Sequence, residues 1–432
     1  MERNLTLELQ QWKDNLDRKP LILEGARQVG KTYLLQKFGQ ENYRNTIYLN
    51  LENASSDIVA LFDGELKPKR IIANLEIYFG EQILPGESLI VFDEVQEVPR
   101  ALTALKYFHE LAPGFHVVAA GSLLGLYLHS GTSFPVGKVD FLHLEPMNFE
   151  EFLIASGERQ LITQIKNSHK IVFPEKLKDY FQYYLVTGGM PEVVASWVNE
   201  HNIEKVEKIQ DTILSSYLRD FSQHADTSTA MKIRQVWGSL TSQFAKENDK
   251  FLWGVVKKGA RAREYEIAVQ WLVDSGIVRR VERVKLGNKL PMRAYQDSSA
   301  FKLYFVDVGL FRRLAQVPTA VVLEKNAIFN EFNGLIAEQF VLQNIQSKDI
   351  FYWTSGAQSE VDFVIQYEKD VVPIEVKSGE NVKSKSLGVY RGKYNPRLSI
   401  RFSMRELLMD DGLLNIPLYA IFLIPGLIEK KK

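Results

Sequence analysis

Cysteine is absent from all 432 residues, which excludes disulfide scaffolds, thiolate metal sites and thiol nucleophiles together. Net charge is missing too: 53 Lys and Arg balance 53 Asp and Glu, so no global field draws the chain to nucleic acid and any such attraction must be local. No run approaches the roughly eighteen apolar residues of a membrane helix, and the charged start MERNLTLELQQWKDNLDRKP lacks the apolar core of a secretory leader. A cytoplasmic protein without a membrane partner is the expectation. The seven histidines show no H-x-x-x-H or other metal-ligand spacing, and neither an internal repeat nor a low-complexity segment occurs. What remains is a globular mixture, 45% hydrophobic and 25% charged, long enough for roughly two to four domains.

Residues 21 to 150 alternate short apolar runs with helical patterns. PLILEG, TIYLNLE, SLIVFDE and FHVVAAGS are strand candidates that end in small or acidic residues, the signature of a parallel sheet with crossover helices. From 151 to 225 the pattern turns helical, interrupted at Gly188-Gly189-Met190-Pro191, and reads as a lid. Residues 226 to 318 offer helices, then the strand-like IVRRVERVKL and AFKLYFVDVGL, the outline of a winged helix. From 319 to 432 a long helix precedes strands, as in a small α/β domain. The expected architecture is thus an α/β multidomain chain: a core over 1–150 built as a parallel αβα sandwich, a helical lid, a winged helix and a C-terminal α/β domain.

The first chemistry-bearing stretch is LILEGARQVGKTYLL. Gly25, Ala26, Arg27, Gln28, Val29, Gly30, Lys31 and Thr32 fit G-x-x-x-x-G-K-[ST] between an apolar strand and a helix, the context this motif needs. Its glycines let backbone N–H groups converge on phosphates at the helix start. Lys31 adds positive charge and Thr32 a hydroxyl for Mg²⁺; Tyr33 follows at the edge of the same loop. Asp93 and Glu94, closing the apolar strand LIVFDE, are expected to bind Mg²⁺ and polarise the attacking water respectively. Ser122, ending HVVAAGS, could touch the γ-phosphate or that water. ATP and Mg²⁺ are the expected cofactors, and the sandwich over 1–150 is expected to be a P-loop ATPase core.

The set GARQVGKTYLL, LIVFDEVQEVPRALTALKYFHE, VVAAGSLLG, FPVGKVDFLHLEPMNFEEFL and GGMPEV resembles the bacterial and archaeal AAA+-type (AAA_14-like) ATPases that carry a DUF4143 C-terminal region. In that resemblance Ser122 corresponds to the sensor-1 position. Lys138 departs from the arginine that such proteins often place there. Arg219 is the alternative cation, set against its reading as a surface residue of a lid helix. Motors of this class often need a neighbouring subunit to supply positive charge to the γ-phosphate, so a homo-oligomer is expected.

In SEVDFVIQYEKDVVPIEVKSG, a period of two puts Val361, Phe363 and Ile365 on one face and Glu360, Asp362 and Val364 on the other. If Gln366 pairs with Val371, antiparallel pairing brings Asp362 opposite Glu375. Facing anions repel, and a divalent cation would relieve the conflict; Lys377, on the same face as Glu375, could orient a water. Asp followed by E-x-K resembles the PD-(D/E)XK nuclease superfamily, with Pro373 departing from its usual lead. That resemblance implies a Mg²⁺ site of Glu338, Asp362 and Glu375, with Lys377 positioning the nucleophile. The open alternatives are a solvated hairpin face with an ion pair, or a silent nuclease fold kept for binding. Between Lys250 and Arg293 eleven basic residues face four acidic ones, a local patch that could meet DNA phosphates or dock a neighbouring domain.

Overall fold

A computed structural model describes the chain apart from residues 126–134, 136, 245–249, 324–329, 346, 348, 357–358, 383–384 and 425–432. It divides into two compact units, Met1–Glu145 with Asp274–Ile277, and Pro146–Val273 with Val278–Lys432.

The first unit is built on β1 (Leu21–Glu24), β2 (Asn45–Asn50), β3 (Ser88–Asp93), β4 (His116–Ala120) and β5 (Asp140–His143). All pair in parallel in the order β2-β3-β4-β1-β5. The four expected strands are present because each is a short apolar run that both layers of helices can cover; β3 and β4 are buried at every position. β5 was not expected. It is an edge strand whose residues alternate between half-buried and exposed, so its sequence carries little apolar signal. Helices α1 (Lys31–Asn42) and α2 (Pro99–Leu111) are among the crossovers. Phe92 of β3 meets Phe62 and Phe108 edge-on at 5.3 and 6.3 Å in the core beneath α2. The strand order matters for function: β4 lies between β1 and β3, so its C-terminal end stands between the loop after β1 and the acids that close β3.

The second unit begins with helices, as expected for the lid region, including α3 (Pro174–Thr187) and α4 (Ile203–Gln223). The Gly188-Gly189 break after α3 has a steric cause. A Cβ on Gly188 (φ +69°) would stand 2.0 Å from Asp307 Oδ1, and one on Gly189 would stand 1.9 Å from the Met147 carbonyl oxygen. Helix α5 (Ala262–Asp274) buries Tyr265, Ala268, Val269, Trp271 and Leu272, the stripe its period implies.

The following strands differ from the expectation. β6 (Val278–Val284) and β7 (Gln296–Phe305) do pair antiparallel, but they are one end of an eight-stranded mixed sheet. With β8 (Ile350–Thr354), β9 (Glu360–Tyr367), β10 (Asp370–Val376), β11 (Ser399–Ser403), β12 (Leu408–Asp410) and β13 (Leu413–Pro417), its order is β12-β13-β11-β10-β9-β8-β6-β7. β6 pairs in parallel with β8, Glu282 opposite Phe351 and Val284 opposite Trp353. The boundary drawn at 318/319 therefore falls inside one sheet, because strand pairing across some seventy positions leaves no local mark. Helices α6 (Val308–Leu314), α7 (Asn330–Asn344) and α8 (Ser386–Tyr394) complete the elements used below.

In the β9–β10 hairpin the expected register is present: Gln366 pairs with Val371, continuing to Phe363 opposite Ile374. The face assignment needs correction. Between β8 and β9 the register shifts by one residue, so Val361 and Val364, placed on opposite faces by strict alternation, both join the cluster around Trp353 and Tyr390. A bulge resets the period, which a count of two cannot foresee. Among the described residues no helix is long and apolar enough to cross a membrane.

Candidate functional site

The loop after β1 bends where its glycines allow. A Cβ on Gly25 would lie 2.2 Å from the Leu144 carbonyl oxygen, Gln28 and Gly30 have φ of 67° and 93°, and α1 starts at Lys31. Lys31 is buried and folds back over the loop, donating from Nζ to the Gly25 and Ala26 carbonyls at 2.8 and 2.9 Å. Burial pushes its ammonium down to about 8, against the opposing pull of Glu94 and Asp93. Thr32 Oγ1 donates to Asp93 Oδ2 at 2.6 Å. The hydroxyl and carboxylate that the sequence assigned to one cation are thus joined directly. Arg27 is half-buried and within 3.9 Å of Glu52, while Tyr33 is exposed.

Glu94 follows with a left-handed backbone, φ 48°, which turns its side chain away from the strand. Its carboxylate accepts from Ser122 Oγ at 3.1 Å and from Gln96 Nε2 at 2.6 Å. The first contact follows from strand order, since Ser122 comes at the end of the strand lodged between β1 and β3. Two residues of this set escaped the sequence reading. Tyr48, on β2, donates its hydroxyl to the same Asp93 oxygen as Thr32, at 2.6 Å; burial and that bond raise its phenol above the usual tyrosine range. Gln96 is buried against Gly121, whose added Cβ would lie 2.3 Å from Gln96 Oε1. A tyrosine in an apolar strand reads as core, and a glutamine after an acidic pair reads as turn. Lys138, at the position of the missing arginine, pairs with Glu110 at 3.2 Å, and Arg219 is exposed on α4.

In the second unit, Asp362 lies near enough to Glu338 to feel its charge. Among the described residues no group of three or more His, Asp or Glu is disposed to hold a metal ion. Asp362 Oδ2 accepts from the Val376 backbone N–H at 2.7 Å, and Glu338 Oε2 accepts from the Tyr304 hydroxyl at 2.9 Å. Glu375, 3% exposed, is held by Lys377 at 3.5 Å and Arg401 at 3.4 Å. Asp362 is half-buried, and burial, with Glu338 and Glu360 nearby, raises its carboxyl above its ordinary value. The basic patch is partly spent. Arg280 pairs with Glu266 and Glu282 and covers the Phe301 ring at 3.9 Å; Arg283 pairs with Asp297 and Arg293 with Asp349. Lys257, Lys258, Arg261 and Arg263, leading into α5, stay exposed.

Three family models match this sequence. Residues 17–153 match an AAA domain, 178–320 a domain of unknown function (DUF8612), and 333–421 another domain of unknown function (DUF4143). The first third of the chain is an AAA-type P-loop ATPase domain. Solved structures to which the chain is similar include the Walker-type ATPase of Pyrococcus abyssi, at 14% identity, covering 72% of this chain and 94% of that one with a TM-score of 0.46. The Aeropyrum pernix ORC2 protein in its ADPNP–ADP complexes follows at 14% identity, 74% and 92% coverage and a TM-score of 0.37. AMPPCP-bound DnaA from Aquifex aeolicus shows 16% identity, 63% and 88% coverage and a TM-score of 0.31. No curated protein matches the chain.

Proposed function

We propose that the first unit binds and hydrolyses ATP and that the nucleotide state controls a DNA-directed second unit. The observation that carries this reading is the convergence of Thr32 on Asp93 and of Ser122 on Glu94 beside a lysine that already wraps the loop. Mg²⁺ suits a site whose donors are a hydroxyl and a carboxylate, both hard oxygens, and when bound it would neutralise charge on the β- and γ-phosphates. Phosphate oxygens would take Lys31 from the Gly25 and Ala26 carbonyls. Glu94 then orients a water and draws off its proton, while Ser122 and Gln96 set the direction of that carboxylate. The positive charge opposite the γ-phosphate would come from a second copy of the chain.

The test is nucleotide uptake and phosphate release by the purified protein and two variants. Lys31→Ala should lose ATP binding, whereas Glu94→Gln should keep it and lose turnover by about a hundredfold or more. No uptake by folded wild-type protein at millimolar ATP would end this reading. DNA is proposed to meet Lys257, Lys258, Arg261 and Arg263, and fluorescence anisotropy on a labelled duplex checks it. Replacing all four with alanine should weaken binding and flatten its salt dependence; unchanged binding would remove DNA from this surface.

Of the two readings of the C-terminal acids, a silent nuclease-like fold kept for binding is favoured over a metal-dependent nuclease. Support comes from the protein partner that each acid already has: Tyr304 for Glu338, Val376 N–H for Asp362, and Lys377 with Arg401 for Glu375. Plasmid nicking in Mg²⁺ or Mn²⁺ decides between them. Cleavage lost in Asp362→Ala and Lys377→Ala would reinstate the nuclease.

A further inference from the structure

Lys302 was not among the residues the sequence singled out. It lies on β7, opposite Val281 of β6, on a half-polar strand where a lysine would ordinarily reach for solvent. Instead its side chain runs across the sheet face, 5.4 Å from the Tyr352 ring, and donates from Nζ to Glu360 Oε1. The two form an ion pair with only 14% and 26% of their side chains exposed, and Asp362 lies two residues along β9 from Glu360. A cation that stays charged where little water reaches it must be balanced by the anions around it.

The same neighbourhood shows what the cation replaces. Glu338, Glu360 and Asp362 come from α7 and β9 and would repel one another without a positive centre. Divalent cations resolve such a conflict with several oxygens at about 2.0–2.6 Å. An ammonium does so with three directed N–H donors and a single charge. Tyr304, two residues along β7 from Lys302, donates to Glu338, so β7 reaches the carboxylates from the same face with both a cation and a hydroxyl.

We infer that Lys302 is a built-in counter-cation among Glu338, Glu360 and Asp362, two of which the PD-(D/E)XK resemblance assigned to a metal, so that this carboxylate cluster excludes Mg²⁺ and Mn²⁺ until the lysine is removed. The inference rests on the silent-fold reading and adds its cause. It also predicts a gain: the carboxylates of Glu338, Glu360 and Asp362, which are not disposed around a metal while the ammonium holds them, close on a divalent cation when it is taken away.

The experiment is Mn²⁺ binding followed by electron paramagnetic resonance and calorimetry on the full chain without nucleotide, in an Asp93→Asn background that disables the P-loop cation site. With Lys302 in place, Asp362→Asn should leave Mn²⁺ uptake unchanged. Lys302→Met should bind one Mn²⁺ at least about tenfold more tightly than its Lys302 parent, and the added change Glu360→Gln should abolish that gain. Mn²⁺ should also raise the thermal midpoint of Lys302→Met but not that of its parent. A Lys302 protein that loses Mn²⁺ on Asp362→Asn overturns the proposal, and this arm holds even if Lys302→Met does not fold. A folded Lys302→Met protein that takes up no Mn²⁺ overturns it equally. Plasmid nicking run in parallel separates the two ideas: cleavage by wild type sinks the silent-fold reading, whereas no cleavage and no gained site sinks only the role of Lys302.

Discussion

In the proposed reading Lys31 carries the charge on which phosphate binding turns, and its environment makes that charge sensitive to pH. Its folded-state value of about 8 lies below the ordinary 10.5, so the free protein gives up this proton as pH rises through 8, while bound phosphate favours the protonated form. ATP affinity should therefore hold up to pH 7.5 and be about tenfold weaker at pH 9 than at pH 7, measured by calorimetry; Lys31→Arg should remove the pH dependence. A flat profile in wild type would mean that the lysine keeps its charge despite burial. Much of this site is legible from sequence because its chemistry is contiguous: Gly25 to Thr32 is one loop, and Asp93 and Glu94 end one strand. Tyr48, Gln96 and Lys302 are not legible in the same way. Each is an ordinary residue type in an ordinary element, and its role comes from what folding sets against it.

The turn after α3 shows how one element is fixed by distant ones. Asp307 is buried and accepts from Gly189 N at 2.6 Å, Leu310 N at 2.9 Å and Gln343 Nε2 at 3.0 Å, tying the turn to α6 and α7. Asp307→Ala leaves these donors without a buried acceptor and should cost about 3 kcal/mol of stability. Gly188→Ala adds a Cβ at positive φ beside the same carboxylate and should cost a similar amount, about 3 kcal/mol. Urea denaturation followed by circular dichroism reads both, and a loss below about 1 kcal/mol in either would show that the turn relaxes instead. The Gly-Gly-Met-Pro break was visible in the sequence. Its anchor, more than a hundred residues later, was not. The hairpin offers the same lesson: turn spacing gave the β9–β10 register, whereas the bulge against β8 depends on a strand with no local tie to it.

At the scale of the whole molecule, the DUF8612 and DUF4143 matches divide at about 320–333, yet β6 and β7 share a sheet with β8 to β13. A fragment ending at 320 leaves β6 without β8 and exposes an unpaired edge lined by Val281 and Val284. It should aggregate or lack a cooperative melt, while residues 146–432 should unfold in one transition. Size-exclusion chromatography and thermal melts distinguish these outcomes, and a well-folded monomer ending at 320 would refute the shared sheet as a unit of stability.

That shared sheet also bears on descent. Because the two matched regions complete each other's hydrogen bonding, a recombination event that moved one into a new gene without the other would deliver an unfoldable piece. Selection should therefore pass them on as a pair, and exchange of parts between lineages should cut near residue 146 rather than near 325.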